Sequence, residues 1–272
     1  MTNPIKLSIV IPGYRDPFHE RTVSDIIQNS VLGEQLEIIS VFDGFYPTWE
    51  LVQDDRRLII HVSRNRGMRQ SINTGIAAAR GEFVMRLDEH CCFAQGFDAE
   101  LTEACRPNEI MTARRFFLDP VRWMVMDLPP VDHEKLSIRM FDGEFRKFSA
   151  VVWKERDDAQ NHVPISETMA LQGSMWLMPR SWWRLHIQAL QTEGYGPLVQ
   201  DSLEVCMKTW QNGGRVMLNK RTWFAHKHRD FRRTHHNGTP DNPAKPNEGF
   251  EYALEQWEGY YNDAIKPKWG LQ

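Results

Sequence analysis

Phe83-Val84-Met85-Arg86-Leu87-Asp88-Glu89-His90 is the stretch whose reading decides the fold. Gly81 stops the segment before it, and Phe83 to Leu87 form a short, mainly apolar run of the kind that makes a buried strand. That strand delivers Asp88, Glu89 and His90 at its carboxyl tip, the edge at which open parallel sheets bind ligands. Side chains alternate along an extended chain, so Asp88 and His90 project to one side and Glu89 to the other. Two ligands then converge on one ion. Oxygen-only sites favour Mg²⁺ or Ca²⁺, whereas an imidazole shifts preference toward a transition ion. Mn²⁺ is the expected cation, with Mg²⁺ as the alternative. Taken alone, the triplet fits a loop-tip carboxylate beside a capping histidine better than a metal site.

The segments on either side supply the context. Leu7 to Pro12 is a β-rich run, followed by Gly13-Tyr14-Arg15-Asp16 as a turn and a helical stretch over 20–32. A second run, Leu36 to Phe42, ends at Asp43-Gly44 and places another carboxylate at a strand tip. Arg57 to Val62 reads as a third strand. Gly67 to Arg80 reads as a helix, with Ile72, Ile76 and Ala79 at helical spacing. Strand and helix alternating through short connections predict an α/β fold: a twisted, mostly parallel, Rossmann-like sheet with right-handed crossovers. Residues 1–95 are read as a nucleotide-binding half.

Downstream the alternation weakens. Trp123, Pro129-Pro130, Trp153 and the polar run Glu155 to Asn161 predict longer loops on a smaller, irregular sheet. Residues 96–233 are read as the acceptor-binding and catalytic half of the same domain. Within it, Leu171 to Leu177 reads as a strand and Ser202 to Gln211 as a helix stopped by Gly213-Gly214. Residues 234–272 read as a mobile loop rich in Pro, Asn and Gly, then a helix over Phe250 to Ala264. Such a loop suits a lid over the site.

Composition bounds the rest. The 272 residues are 41% hydrophobic and 25% charged, which is ordinary for a globular chain and excludes disorder as the default. The net charge of −3 hides a basic stretch through Lys208, Arg215, Lys220, Arg221, Lys227, Arg229, Arg232 and Arg233. It suits a polyanionic partner, or is simply a solvated face. Cys91, Cys92, Cys105 and Cys206 form no C-x-x-C pair, so reduced thiols are expected. Apolar runs are far shorter than the roughly 20 residues a membrane span needs. With no signal core after Met1, a cytoplasmic location is the expectation.

The order of motifs carries a resemblance. Leu7 to Pro12, Val41-Phe42-Asp43-Gly44, Asn65-Arg66-Gly67, Asn73, Gly75, Ala79, Gly81-Glu82 and Leu87-Asp88 follow the succession seen in family 2-like glycosyltransferases of the GT-A fold. The form Asp88-x-His90 resembles the polypeptide N-acetylgalactosaminyltransferase branch. Asp201-Ser202-Leu203-Glu204, running on to Trp210 and Gly213-Gly214, is similar to that branch's E-N-L-E-x-x-x-R-x-W-x-x-G-G helix. Ala225-His226-Lys227-His228-Arg229 resembles its G-H-V-F-R segment.

The resemblance implies a metal site of Asp88, His90 and His226, with His228 in reserve because it lies two residues along the same strand face. It implies a donor site drawing on Pro12, Asp43, Arg64, Gly67, Arg69, Asp88 and Glu89. Asp43 would accept the ring N–H of a uracil, and Arg64 and Arg69 would contact the diphosphate through forked bonds. Asp201 would be the catalytic base of an inverting enzyme or a substrate contact in a retaining one, with Glu204 assisting. A helix N-cap is the plainer reading of Asp201. The histidines between Ala225 and His236 also raise a zinc site with Cys91 or Cys92, but no cysteine pair has zinc-site spacing.

The expected function is therefore transfer of a hexosyl or pentosyl unit from a nucleotide-sugar donor, a UDP-sugar, to a hydroxyl acceptor. The basic stretch suggests one acceptor, a hydroxymethylated base in double-stranded DNA as in bacteriophage-type enzymes, with Arg229, Arg232 and Arg233 on phosphates. A cell-surface polysaccharide or glycan precursor is the competing acceptor. Two other classes stand beside these: a non-catalytic nucleotide-sugar-binding protein, and a metal-dependent hydrolase.

Overall fold

A computed structural model describes residues 4–141, 145–196, 200–228 and 248–271. The first half is the expected alternation: β1 (Leu7–Gly13), α1 (His19–Asn29), β2 (Leu36–Asp43), β3 (Arg57–Val62), α2 (Met68–Ala78) and β4 (Phe83–Leu87). β4, β1, β2 and β3 lie side by side and parallel. Every residue of β2 and of β4 is buried. That is the condition of a parallel strand covered on both faces, and it explains why these segments are near-continuous apolar runs. Ile9 and Ile11 meet Val23 and Ile26 of α1 on one face. Val10 and Val41 meet Ile72 and Ile76 of α2 on the other. Each such side chain contributes about 1.5–3 kcal/mol on burial.

The second half continues the same sheet. β5 (Cys91–Phe93), α3 (Phe97–Ala104), β6 (Glu109–Asp119), β7 (Met124–Val125), β8 (Glu134–Phe141), β9 (Phe145–Val152), α4 (Lys154–Ala159) and β10 (Ile165–Glu167) follow in order. Then come β11 (Met175–Pro179), the short α5 (Arg180–Trp182), α6 (Asp201–Gln211), β12 (Arg215–His226) and α7 (Glu248–Tyr260). The strand order is β10-β12-β6-β11-β4-β1-β2-β3. β11 runs antiparallel between β4 and β6, and β12 runs parallel to β6. The small β8–β9 hairpin forms a separate antiparallel sheet. It is covered by α7 through the stacked rings of Phe145 and Phe250.

Several boundaries differ from the sequence reading, each for a local reason. α1 stops at Asn29 instead of running to residue 32, because Ser30 and the backbone N–H groups of Val31 and Leu32 all bond the Asp98 carboxylate. The strand expected from Leu171 begins only at Met175. Leu171 to Ser174 leave the ladder and line a cleft. Residues 134–152 form the β8–β9 hairpin, which supplies the smaller sheet expected downstream of residue 95. The last helix starts at Glu248, and after Tyr260 it loosens into a π-helical turn over Tyr261–Ile265. The expected lid, with Arg229, Arg232 and Arg233, lies outside the described residues. No described helix is long and apolar enough to cross a membrane.

Candidate metal and donor site

The Asp88 N–H donates to the Ser174 carbonyl at 2.9 Å, so the ladder with β11 carries one residue past the end of β4. The chain then bends through Glu89 and His90 into β5. β5 pairs antiparallel with the tip of β12, setting Cys91 opposite His226. That pairing brings His226 to the bend. His226 Nε2 lies 3.1 Å from Asp88 Oδ2 and 3.0 Å from His90 Nε2, and one ligand atom from each of the three falls within 4.8 Å of the others. Among the described residues this is the one His/Cys/Asp/Glu group so arranged.

The surroundings orient each ligand. His90 Nδ1 lies 2.9 Å from Asp16 Oδ2 in the turn after β1; a proton there leaves Nε2 a free lone pair. Burial pushes the Asp88 carboxyl up, but Arg86, the His226 hydrogen bond and the neighbouring imidazoles outweigh it and hold the group well below the usual carboxylate range. Burial lowers His226 to about 4, so its ring is neutral at pH 7. One carboxylate and two imidazoles suit a first-row transition ion better than Mg²⁺ or Ca²⁺, which favour oxygen-only sites. Cys91 and Cys92 do not belong to the group. Both are buried, and burial keeps their thiols protonated, Cys92 being pushed up to about 12.

Glu89 faces the other way. It accepts the Tyr14 N–H at 3.1 Å and pairs with His19 Nδ1 at 3.2 Å, tying the bend to the turn after β1. A Cβ on Gly13 would come within 2.9 Å of this carboxylate, so glycine is what admits it.

Beneath Asp88 lies Arg86, an arginine in the middle of a fully buried strand. Its Nη2 meets Asp88 Oδ1 at 2.7 Å, its Nη1 donates to the Gly173 carbonyl, and its Nε stands 3.8 Å from Asp201 Oδ2. Asp201 opens α6 and lines the same cleft, together with Met68, Arg115, Glu134, Gln172, Ser174 and His226. The cleft encloses about 320 Å³, room for a sugar-sized group. Its lining holds several buried polar atoms that make no hydrogen bond: Gln172 Oε1 and Nε2, Ser174 Oγ, Asp201 Oδ2, Arg86 Nε and Arg115 Nε. Each such group costs about 1–3 kcal/mol when left unpaired. A ligand that answers them recovers that cost.

The other residues singled out in the sequence are placed as follows. Pro12 sits at the tip of β1, paired with Val41. Asp43 ends β2 and accepts the N–H groups of Arg66 at 2.8 Å and Gly67 at 2.7 Å, fixing the start of α2. Burial raises its pKa against these bonds. Gly44 takes φ +78° there, and a Cβ would strike the Asn65 backbone at 2.3 Å. Arg64 is exposed beside this turn. Arg69 is sealed inside: it pairs with Glu204, donates to the Gln191 carbonyl at 2.7 Å and covers the Tyr195 ring at 4.1 Å. Glu204 is thereby turned away from the cleft, and it also holds Lys208 at 2.6 Å. His228 accepts from Arg115 Nη1 at 2.7 Å, outside the three-ligand group.

Four described residues of the basic stretch have partners within the fold. Lys208 pairs with Glu204, Arg215 with Glu109 and Arg221 with Glu100, and Lys220 donates to the Gln160 and Asn161 carbonyls. Asp16, Arg86, Glu134, Gln172 and Ser174 were not singled out from the sequence. Arg86 alone carried a visible signal there, since a charge inside an apolar strand demands a partner.

Comparison with known proteins addresses the family and the fold. The family description of glycosyl transferase family 2 matches residues 8–184. Over 110 residues the chain is 29% identical to the uncharacterized glycosyltransferase EpsJ of Bacillus subtilis (strain 168), covering 38% of this chain and 31% of that protein. The structure is similar to that of GalNAc-T7 solved with UDP, GalNAc and Mn²⁺, with a TM-score of 0.70 and 14% identity, over 97% of this chain and 50% of that one. The chain thus spans about a third of the first relative and half of the second. Since the family match runs from β1 past β11 and the sheet has the GT-A arrangement, this chain belongs to glycosyl transferase family 2.

Proposed function

We propose that the chain transfers a sugar from a UDP-sugar to a hydroxyl acceptor, with a divalent cation, Mn²⁺ or Mg²⁺, held by Asp88, His90 and His226. The observation that carries this reading is the convergence of those three side chains at the carboxyl edge of the sheet, beside a cleft lined with unpartnered polar groups. In the reaction, the bond between the sugar's anomeric carbon and the diphosphate oxygen breaks, and its electron pair leaves with the nucleotide. The acceptor oxygen forms a new bond to that carbon and gives up its proton. A bound cation offsets the charge growing on the leaving diphosphate.

The residues of the chain divide the remaining work. Asp201, the first residue of α6 and part of the cleft lining, takes the acceptor proton in an inverting reaction or holds the sugar in a retaining one. Arg86 keeps Asp88 and Asp201 over one shared positive charge. Asp43 presents a carboxylate at the β2 tip for the N–H of a uracil, and Arg64 lies next to it for the diphosphate. Glu204 supports catalysis indirectly by seating α6 on Arg69.

A saccharide hydroxyl is the favoured acceptor. The alternative, a hydroxymethylated base in duplex DNA, needs free cations for the phosphates. The described part of the basic stretch spends its charges on Glu100, Glu109, Glu204 and backbone carbonyls. The test is UDP release from UDP-glucose, UDP-galactose and their N-acetyl forms, with Mn²⁺ and with EDTA, offering methyl glycosides, oligosaccharides and hydroxymethylated duplex DNA as acceptors. Cation-dependent transfer to a saccharide is expected. Tight UDP binding without turnover would instead identify a binding protein, and release exceeding transfer with every acceptor a hydrolase.

A further inference from the structure

Glu134, the first residue of β8, is a carboxylate for which the site as described has no use. It is 8% exposed and lines the cleft that Asp88 and Asp201 share. None of the described residues donates a hydrogen bond to its carboxylate, although its backbone is bound on both sides by Thr168 and Ala170. The nearest positive charge, Arg115, acts on it only at a distance and spends Nη1 on His228, with Nε left unpartnered. Burial raises the Glu134 pKa in consequence. A desolvated carboxylate of this kind destabilises the fold unless something answers it.

Gln172 faces the same cleft and is 6% exposed, with neither its oxygen nor its nitrogen paired. Ser174, 5% exposed, leaves its hydroxyl unpaired as well. The lining therefore offers a strong acceptor in Glu134, a two-hydrogen donor and an acceptor in Gln172, and a group of either kind in Ser174. Water-free apolar ligands answer none of these, and a phosphate, which accepts only, is repelled by Glu134. A ring bearing several hydroxyls answers all of them, because each hydroxyl both donates and accepts.

We infer that Glu134, Gln172 and Ser174 form the hydroxyl-reading wall of a saccharide subsite, with Glu134 accepting from one or two ring hydroxyls. This deepens the reading given above and rests on it for the identity of the neighbouring donor. The ring belongs either to the sugar of the donor or to a saccharide acceptor, and the same hydrogen bonds serve both.

The experiment uses the full chain with Mn²⁺, comparing wild type with Glu134→Gln and Gln172→Ala. UDP and UDP-hexoses are titrated calorimetrically, and the KM for saccharide acceptors is measured by UDP release. Hydrogen bonds to a charged group set the expected loss at about 10- to 100-fold for Glu134→Gln. If the donor ring is read, UDP-hexose affinity falls by that factor while UDP affinity stays within about twofold. If the acceptor ring is read, the acceptor KM rises by that factor and UDP-hexose affinity is unchanged. Either result supports the wall. In both cases the melting temperature of Glu134→Gln equals or exceeds that of wild type, since an unanswered buried charge has been removed; a purely structural glutamate would lower it.

Unchanged UDP-hexose affinity and unchanged acceptor KM in both variants would overturn the inference. So would an equal fall in UDP and UDP-hexose affinity. Should wild type bind neither UDP nor any UDP-hexose, the donor reading fails by itself. Saturation-transfer NMR with methyl glycosides then decides the wall: signals lost in Glu134→Gln keep it, and no signal in wild type ends it.

Discussion

Arg69 and Arg86 are both sealed from solvent, yet they use their charge in opposite ways. Arg69, on α2, is closed on every side: Glu204 takes its guanidinium, Gln191 its Nε and Tyr195 its face. It is a joint between α2, α6 and the segment before α6. Arg86, on β4, is open at the cleft. It is shared between Asp88 and Asp201, its Nε stands near Asp201 without a hydrogen bond, and those two carboxylates outweigh burial and hold its pKa above the ordinary arginine value. The difference teaches where to look for chemistry: a closed buried pair holds helices together, and an open one stores charge for a ligand.

The sharpest way to break this contrast is at the carboxylates each arginine serves. Asp201→Asn on the open side is expected to lower kcat about 10²–10⁴-fold, with UDP and Mn²⁺ affinities held, as measured by steady-state UDP release and calorimetry. The N-cap of α6 is Gln200 and no side chain caps the helix, so if Asp201 is only a first-turn carboxylate, about 0.3–1 kcal/mol of stability is lost and turnover stays. Arg69→Met on the closed side is expected to cost about 3 kcal/mol in urea denaturation, because it leaves buried Glu204 with only Lys208 and the Gln191 N–H, without altering UDP affinity of the folded protein. A fall in UDP affinity at unchanged stability would put Arg69 on the diphosphate after all and collapse the contrast.

Smaller effects sharpen it at the metal. Asp16→Asn is expected to weaken Mn²⁺ about 10- to 100-fold, since Asp16 sets the His90 ring without touching the ion. Electron paramagnetic titration of free Mn²⁺ reads this directly. His228→Ala is expected to change Mn²⁺ affinity by about twofold or less, in keeping with an exposed residue bonded to Arg115. A loss as large as that of His226→Ala would make His228 a ligand.

How much of this the sequence discloses follows from physical range. β1 to β4 and α1 to α2 are legible because local periodicity and burial coincide: Leu7, Ile9 and Ile11 alternate with Val10 across a sheet covered on both faces. Asp88 and His90 are legible for the same reason, being two residues apart at a strand end. β6, β8 and β12 are harder, since Arg114, Arg115, Lys135, Lys220 and Arg221 break their apolar runs and find partners only after folding. The Arg69–Glu204 joint spans 135 residues, so the i, i+3 spacing of Asp201 and Glu204 suggested a shared task that tertiary packing divides. Glu134 is meaningful only because the hairpin carries it across the cleft.

One consequence concerns the long reach of His226. It stands 138 residues beyond Asp88, so an ion seated on both is a cross-link between the parallel half of the sheet and β12. Binding and folding are then thermodynamically linked: cation at 100 times its Kd adds about 2.7 kcal/mol, roughly 5–10 °C in Tm for a chain of this size. A melting scan against Mn²⁺, Mg²⁺ and Zn²⁺ therefore ranks the native ion before any sugar or acceptor is known, and His226→Ala should flatten the ranking.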